Sequence, residues 1–176
     1  MVLLRRALVV WFVLAAAATA GAQADRSLEY QVKAAYLYNF VKYVEWPPRA
    51  ASGPITICVA GRTPLSAALI ETVRGESVEG RQLVTHAVSE PDPGCSVLFI
   101  PENVPADPFL RAVRGTPTLT VGESAEFLGR GGMINFVLDG GKVRFDVNTE
   151  PLDRVELRIS SRMLRLARNV EPRGHS

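Results

Sequence analysis

The chain has little of what most catalytic sites are built from. Its 176 residues include only two cysteines and two histidines. Cys58, Cys95, His86 and His175 stand too far apart for the close ligand spacing of a metal site. There is no Gly-x-Ser-x-Gly elbow, because Gly122-Glu123-Ser124 lacks the closing glycine, so no serine nucleophile is signalled. The one glycine-rich loop, Gly129-Arg130-Gly131-Gly132, runs into the strand-like stretch Met133 to Leu138. Phosphate loops feed a helix N-terminus instead, so this segment reads as a flexible loop. Paired carboxylates such as Asp146 with Glu150 or Glu156 read as solvated surface, and His86 as a structural residue of an apolar stretch. An enzyme needs a base with a nucleophile, or a metal, and the sequence offers no such set. No cofactor is expected.

Charge of one sign is missing too. The 20 Lys and Arg nearly balance the 18 Asp and Glu. Both excess cations, Arg5 and Arg6, lie in the basic start Met1 to Arg6. An uncharged run from Ala7 to Ala20 and the small residues Ala20-Gly21-Ala22 follow. A basic start, an apolar middle of about 14 residues and small residues at the cut describe a secretory signal peptide. The run is short for a membrane span, which takes about 20 apolar residues. Residues 1–22 are therefore expected to be removed, leaving 23–176 as one neutral exported domain. Zero net charge and export together argue against a nucleic-acid partner.

In an oxidising compartment, two cysteines 37 positions apart favour a bridge over two buried thiols. Both readings stay open on the residues alone.

What is present is an alternation of helices and strands. Leu28, Val32, Tyr36, Phe40 and Val44, widened by Leu37 and Val41, predict a first helix over 28–46, with Ser27 as its cap and Pro47-Pro48 as its stop. Its broad apolar stripe would serve a homodimer as well as a core. Ile55 to Ala60 reads as a buried strand, and Thr63-Pro64 opens a helix to about Val73. Residues 81–88 give a shorter strand, Val97 to Ile100 a buried one, Pro105 to Arg114 a helix and Thr118 to Val121 a strand. Period-two runs on both sides of Asp139-Gly140-Gly141-Lys142 predict a β-hairpin. A short helix near 150–156, a strand at Leu157 to Ile159 and a helix from Ser161 to about Asn169 complete the chain. The expectation is a single α/β domain, a mixed sheet with helices on both faces, ending in a β-hairpin and a C-terminal helix. On that last helix, Arg162, Arg165 and Arg168, with Arg158 ahead of them, form a stripe opposite Met163, Leu166 and Val170. The stripe reads as a solvated face, or as a dock for an acidic partner or anionic headgroups.

Three segments resemble a known family. Tyr30-x-Val32-Lys33-Ala34-Ala35-Tyr36-Leu37-Tyr38-Asn39-Phe40, with Lys42 and Val44-Glu45-Trp46-Pro47, is similar to the opening signature of the YfiR-like family of periplasmic proteins. Gly131-Gly132-Met133-Ile134-Asn135-Phe136 resembles its hairpin motif, and Ile159-Ser160-Ser161-x-x-Leu164-x-Leu166-Ala167 its closing helix. The resemblance spans about residues 27–170. It implies a small exported α/β protein without catalysis. It also implies a regulator that binds the periplasmic part of an inner-membrane diguanylate cyclase and holds it inactive, which lowers cyclic di-GMP and biofilm formation. It implies a Cys58–Cys95 disulfide that supports a folded, repressing state; the second cysteine pair that some relatives carry near the hairpin is absent. The family's contact surface maps onto Ile134, Asp146 and Leu152. By strand alternation Asp146 is expected to face outward and Ile134 inward. The rival reading is a periplasmic sensor with a small molecule at the sheet's carboxyl ends, held by Gly129 to Gly132 and the arginine stripe.

Overall fold

The structure is a computed structural model that describes residue 23 and residues 25–171. The expected signal segment, residues 1–22, and His175 lie outside the described residues.

The elements follow the hydrophobic pattern closely. Helix α1 covers 25–43 and is followed by β1 (Val44–Glu45) and a 3-10 turn at Pro48–Ala50. Then come β2 (Ile55–Ala60), α2 (Leu65–Val73), β3 (Ser77–Val78), β4 (Arg81–Val88), β5 (Val97–Ile100) and α3 (Ala106–Ala112). The remainder is β6 (Leu119–Gly122), β7 (Ile134–Asp139), β8 (Lys142–Asn148), α4 (Thr149–Arg154), β9 (Arg158–Ile159), α5 (Ser161–Leu164) and β10 (Asn169–Glu171).

Eight strands form one sheet in the order β10-β8-β7-β6-β5-β2-β4-β3. From β4 to β7 all neighbours are parallel, whereas β8 is antiparallel to β7 and β3 to β4. The sheet is mixed, as the sequence predicts. Alternation sends Ile57, Val59, Val97, Phe99, Leu119, Val121, Ile134, Phe136 and Phe145 to one face, where α1 and α2 cover them. Cys58, Ala60, Leu98 and Ile100 point the other way, onto Phe109, Leu110 and Val113 at α3 and onto Phe127. On the first face Phe40 of α1 meets Phe145 edge-on at 5.1 Å and stacks on Phe136 at 5.8 Å. Burying each such ring fully contributes about 1.5–3 kcal/mol.

Four expectations are corrected. Helix α1 starts before Ser27, so Ser27 lies inside it and is no cap. It also ends at residue 43, ahead of the prolines, because Val44 and Glu45 pair antiparallel with Ile159 and Arg158. Ser160 donates its backbone N–H to Tyr43 O at 2.9 Å, which completes this clasp. Strand β4 is the longest of the sheet rather than a short one, since its whole length pairs with β2 or β3. The C-terminal helix is reduced to the four residues of α5. Arg168 then donates its N–H to Phe145 O at 2.8 Å, and β10 adds to the sheet beside β8. A sheet edge with free carbonyls wins over helix propensity here.

Candidate functional site

The cysteine question is resolved by neighbouring strands. Cys58 on β2 and Cys95, two residues ahead of β5, point to the same face, with Cα atoms 5.8 Å apart, and are joined as a disulfide. Both are buried, at 0% and 3% exposure, under α3.

The glycine-rich loop proves to be a packing device. A Cβ at Gly132 would lie 2.2 Å from the Phe127 ring, and one at Gly122 would lie 2.4 Å from the same ring. Two glycines thus form the slot that takes Phe127, which is 1% exposed. Met133 is tied to β6 from both sides: its N–H donates to Thr120 Oγ1 at 3.1 Å, and its sulfur accepts from Thr120 N at 3.4 Å. The loop is therefore anchored, not flexible. Arg130 beside it pairs with Asp107 at 3.0 Å and Glu126 at 2.7 Å. The hydrogen bonds it donates to Glu126 and Asp107 hold its guanidinium above its ordinary range. Gly129 and Gly131 line a cleft of about 500 Å³ together with Arg114, Arg154 and Glu150. That cleft sits toward the amino ends of β6 and β7, not at the carboxyl ends.

The three expected contact residues lie below the surface. Ile134 is 0% exposed and faces inward as predicted, and Leu152 of α4 is 2% exposed in the same core. Asp146, expected to face outward, is only 8% exposed. Its carboxylate accepts from Arg168 Nε at 2.9 Å and from Nη2 at 2.5 Å, a two-pronged ion pair that draws the C-terminal segment onto β8. Those hydrogen bonds, with the Asp146 charge, raise the Arg168 guanidinium above its ordinary range. Polar alternation along β8 was read correctly, but the C-terminal strand that covers Asp146 has no local signal. The carboxylates considered as pairs separate likewise: Glu150 binds Arg154, and Glu156 binds Arg49 at 2.9 Å. His86 is exposed on β4, beside no nucleophile.

The arginine stripe is split. Arg158 is in β9, Arg162 in α5, and Arg168 lies beyond a turn. Arg162 and Arg165 nevertheless meet at one recess, a groove of about 320 Å³ between α1 and α5. Its floor is Tyr36, Phe40, Phe145 and Met163, and its lip is Leu166, which is 59% exposed. Arg162 sits over the Tyr43 ring at 5.9 Å. Among the described residues, neither Arg162 nor Arg165 has a carboxylate partner.

At the carboxyl end of the sheet, Gly61 lies against Val104 beside the crevice between β2 and β5, where a doubly wound fold usually takes its ligand. A Cβ on Gly61 would approach Val104 Cγ2 to 3.2 Å. Among the described residues no group of three or more His, Cys, Asp or Glu side chains could hold a metal, and no helix is long and apolar enough to cross a membrane.

A family described as YfiR/HmsC-like matches residues 30–168, well over half of the chain. The chain belongs to the YfiR/HmsC-like family. Its signature residues now have physical roles. Lys33, Ala34, Leu37 and Phe40 are the buried face of α1. Gly132 and Met133 seat β7 against β6, and Ser160 caps α5 by accepting from Met163 N at 3.3 Å. These residues of the signature therefore serve the fold.

Proposed function

We propose that this protein is a periplasmic, non-enzymatic regulator. It binds the periplasmic part of an inner-membrane diguanylate cyclase, favours the inactive state of that enzyme, and so lowers cyclic di-GMP and biofilm formation. The observation that carries this reading is the family match over residues 30–168. The engagement of Asp146, Glu150 and Glu156 in separate arginine pairs supports it, because those carboxylates are committed to structure rather than poised for acid–base work.

The contact surface is the ground above Ile134, Asp146 and Leu152. Being buried, these residues set the shape of the surface from beneath: Ile134 and Leu152 through the core, Asp146 by holding Arg168 and the C-terminal strand in place. The docking groove is a separate place, between α1 and α5 and lined by none of those three residues, and it takes an acidic segment with an apolar anchor. Charge complementarity favours that occupant, since Arg162 and Arg165 rim an apolar floor without carboxylate partners of their own. The disulfide acts on binding through the stability of the fold, since reduction loosens the parallel sheet and lowers the population able to bind.

Deleting the gene in cells that keep the cyclase is the direct test. Cyclic di-GMP should rise and biofilm with it; an unchanged level would refute the regulator reading. Re-expression of Leu166→Asp, a change on an exposed side chain, should restore the protein but not the repression.

A further inference from the structure

The two edges of the sheet are guarded unequally. One edge is β10, three residues long and tied down by the Arg168–Asp146 ion pair. At the other, β3 pairs with β4 only at Arg81 and Gln82, and Leu83 donates its N–H to Glu76 O at 3.1 Å just beyond them. From Val84 to Val88, β4 pairs with β2 on its inner side and has no strand on its outer side among the described residues.

Alternation along β4 decides which groups are left over. Val88 O points inward, accepting from Gly61 N at 2.8 Å, whereas Leu83 N–H points outward. In a strand the N–H and C=O of one residue share a side, and the side alternates. Thr85 and Ala87 therefore aim both backbone groups outward, where no strand takes them. A bare row of donors and acceptors templates further pairing, so native edges are blunted by charge, proline, a bulge or a cover. The stretch Val84-Thr85-His86-Ala87-Val88 has no lysine, arginine, carboxylate or proline, and its register with β2 is unbroken.

This stretch fits its own copy. Since Thr85 and Ala87 carry the free groups, antiparallel pairing of two copies centres on Thr85, His86 or Ala87. A centre at Thr85 sets Val88 of one copy in the place that Ser77 of β3 holds beside Gln82. A centre at Ala87 runs past Val88 into the bend at Ser89 and Glu90 and wastes half of the edge. Only a centre at His86 overlaps the whole free stretch: Val84 then opposes Val88, and Thr85 exchanges N–H···O=C bonds with Ala87 on both sides of the axis.

We propose that this edge of β4 is a self-association surface, through which two copies join antiparallel about a two-fold axis at His86. The uncharged stretch does not repel its copy and selects no charged segment. The two His86 side chains, exposed in the single chain, come to face each other as the central pair that exchanges no backbone bond. The apolar stripe of α1 is not the dimer surface, because Ala34, Leu37, Phe40 and Val41 are at most 1% exposed and packed in the core. The docking groove is lined by no residue of β4, so the interface holds or fails independently of the cyclase reading.

The test is sedimentation equilibrium of the purified protein from roughly 10 µM to 1 mM, the range of a weak edge contact, with hydrogen exchange at Thr85 and Ala87. A dimer should form, and protection of those two amides should rise with concentration. Ala87→Pro removes an outward N–H and none that serves β2, so near-UV circular dichroism should be unchanged. Its dimer should be about thirtyfold weaker, from one ladder bond lost by each copy at about fivefold apiece. His86→Lys and His86→Glu each set like charges face to face and should weaken association about fivefold, while their equimolar mixture should restore it. A monomer up to roughly 1 mM would overturn the proposal and leave the edge to a strand of another protein. So would a dimer that Ala87→Pro leaves intact, which would place the contact on another face, or a mixture no tighter than either variant alone.

Discussion

The two halves of the sheet are held by different means. Strands β2, β5 and β6 are parallel and buried on both faces by almost wholly apolar residues, and the Cys58–Cys95 bridge pins β2 to the approach of β5; β4, outside them, is largely exposed. The β7–β8–β10 half buries its apolar residues on one face only. On the other it carries Asn135, Arg144 and Asp146, and it secures its edge by polar bonds: Asp146 to Arg168, Asn148 capping α4 at 3.1 Å, and Thr149 Oγ1 donating to Glu171 O at 3.2 Å. Burial and a covalent link act everywhere at once, whereas ion pairs act locally and are weakened by water. The first half is therefore the stable platform. The second is the half whose surface can be adjusted, and the docking groove borders it.

Removing the covalent link gives the largest expected effect on that contrast. Cys58→Ser should lower unfolding free energy by about 4 kcal/mol, from the chain entropy regained by a loop of roughly 38 residues. Urea denaturation under oxidising and reducing conditions checks it: wild type should lose stability on reduction and the variant should not. An equal midpoint for the two oxidised proteins would remove the bridge as the source of the difference between the halves.

The seam between the halves is next. Burial works to lower the Lys33 ammonium, but the hydrogen bonds it donates to Glu123 and Glu29 and their negative charge outweigh it, so its pKa stands above the ordinary 10.5. A cation whose folded pKa is raised stabilises fully below its unfolded pKa, and that contribution disappears as pH climbs through the folded value. Wild type should thus lose stability at strongly alkaline pH through this group. Lys33→Met should lack that loss and should be destabilised at neutral pH by about 1–2 kcal/mol, discounted because both carboxylates are partly exposed. Denaturant midpoints across the alkaline range measure both.

Asp146→Asn is the smallest change and the most local. It removes the charge that holds Arg168 while leaving β2, β5 and the disulfide untouched. Hydrogen exchange should speed up at Val170 and its neighbours in β10 and stay constant in β5. Uniform acceleration across both strands would show that the halves are a single cooperative unit.

The parts of this protein that were readable in its sequence are those set by local pattern. The buried strands Ile55 to Ala60 and Val97 to Ile100, the turn at Gly140-Gly141 and the helix opened by Thr63-Pro64 all announce themselves within a few residues, through β-branching, positive φ or a cap. The disulfide was half readable: two cysteines beside strands permit it, but only the parallel pairing of β2 with β5 brings them to 5.8 Å. The ends of helices were misjudged where a distant strand competes. Residues 44–45 leave α1 for β9, and 169–171 leave a helical pattern for β8. For the same reason Asp146 looked exposed, since its cover comes from 22 residues further on. The docking groove could not be foreseen, because it joins α1 to side chains more than 90 residues away.

By itself the sequence determined the α/β class, the charge balance of residues 23–176, and the family through its buried signature. These depend on composition and on short-range periodicity. Only the tertiary structure decided where the charge gathers. It placed on one side of α1 two arginines with no carboxylate partner among the described residues, and an excess of carboxylate on the other, because packing α1 across the sheet brings together residues that no spacing along the chain relates.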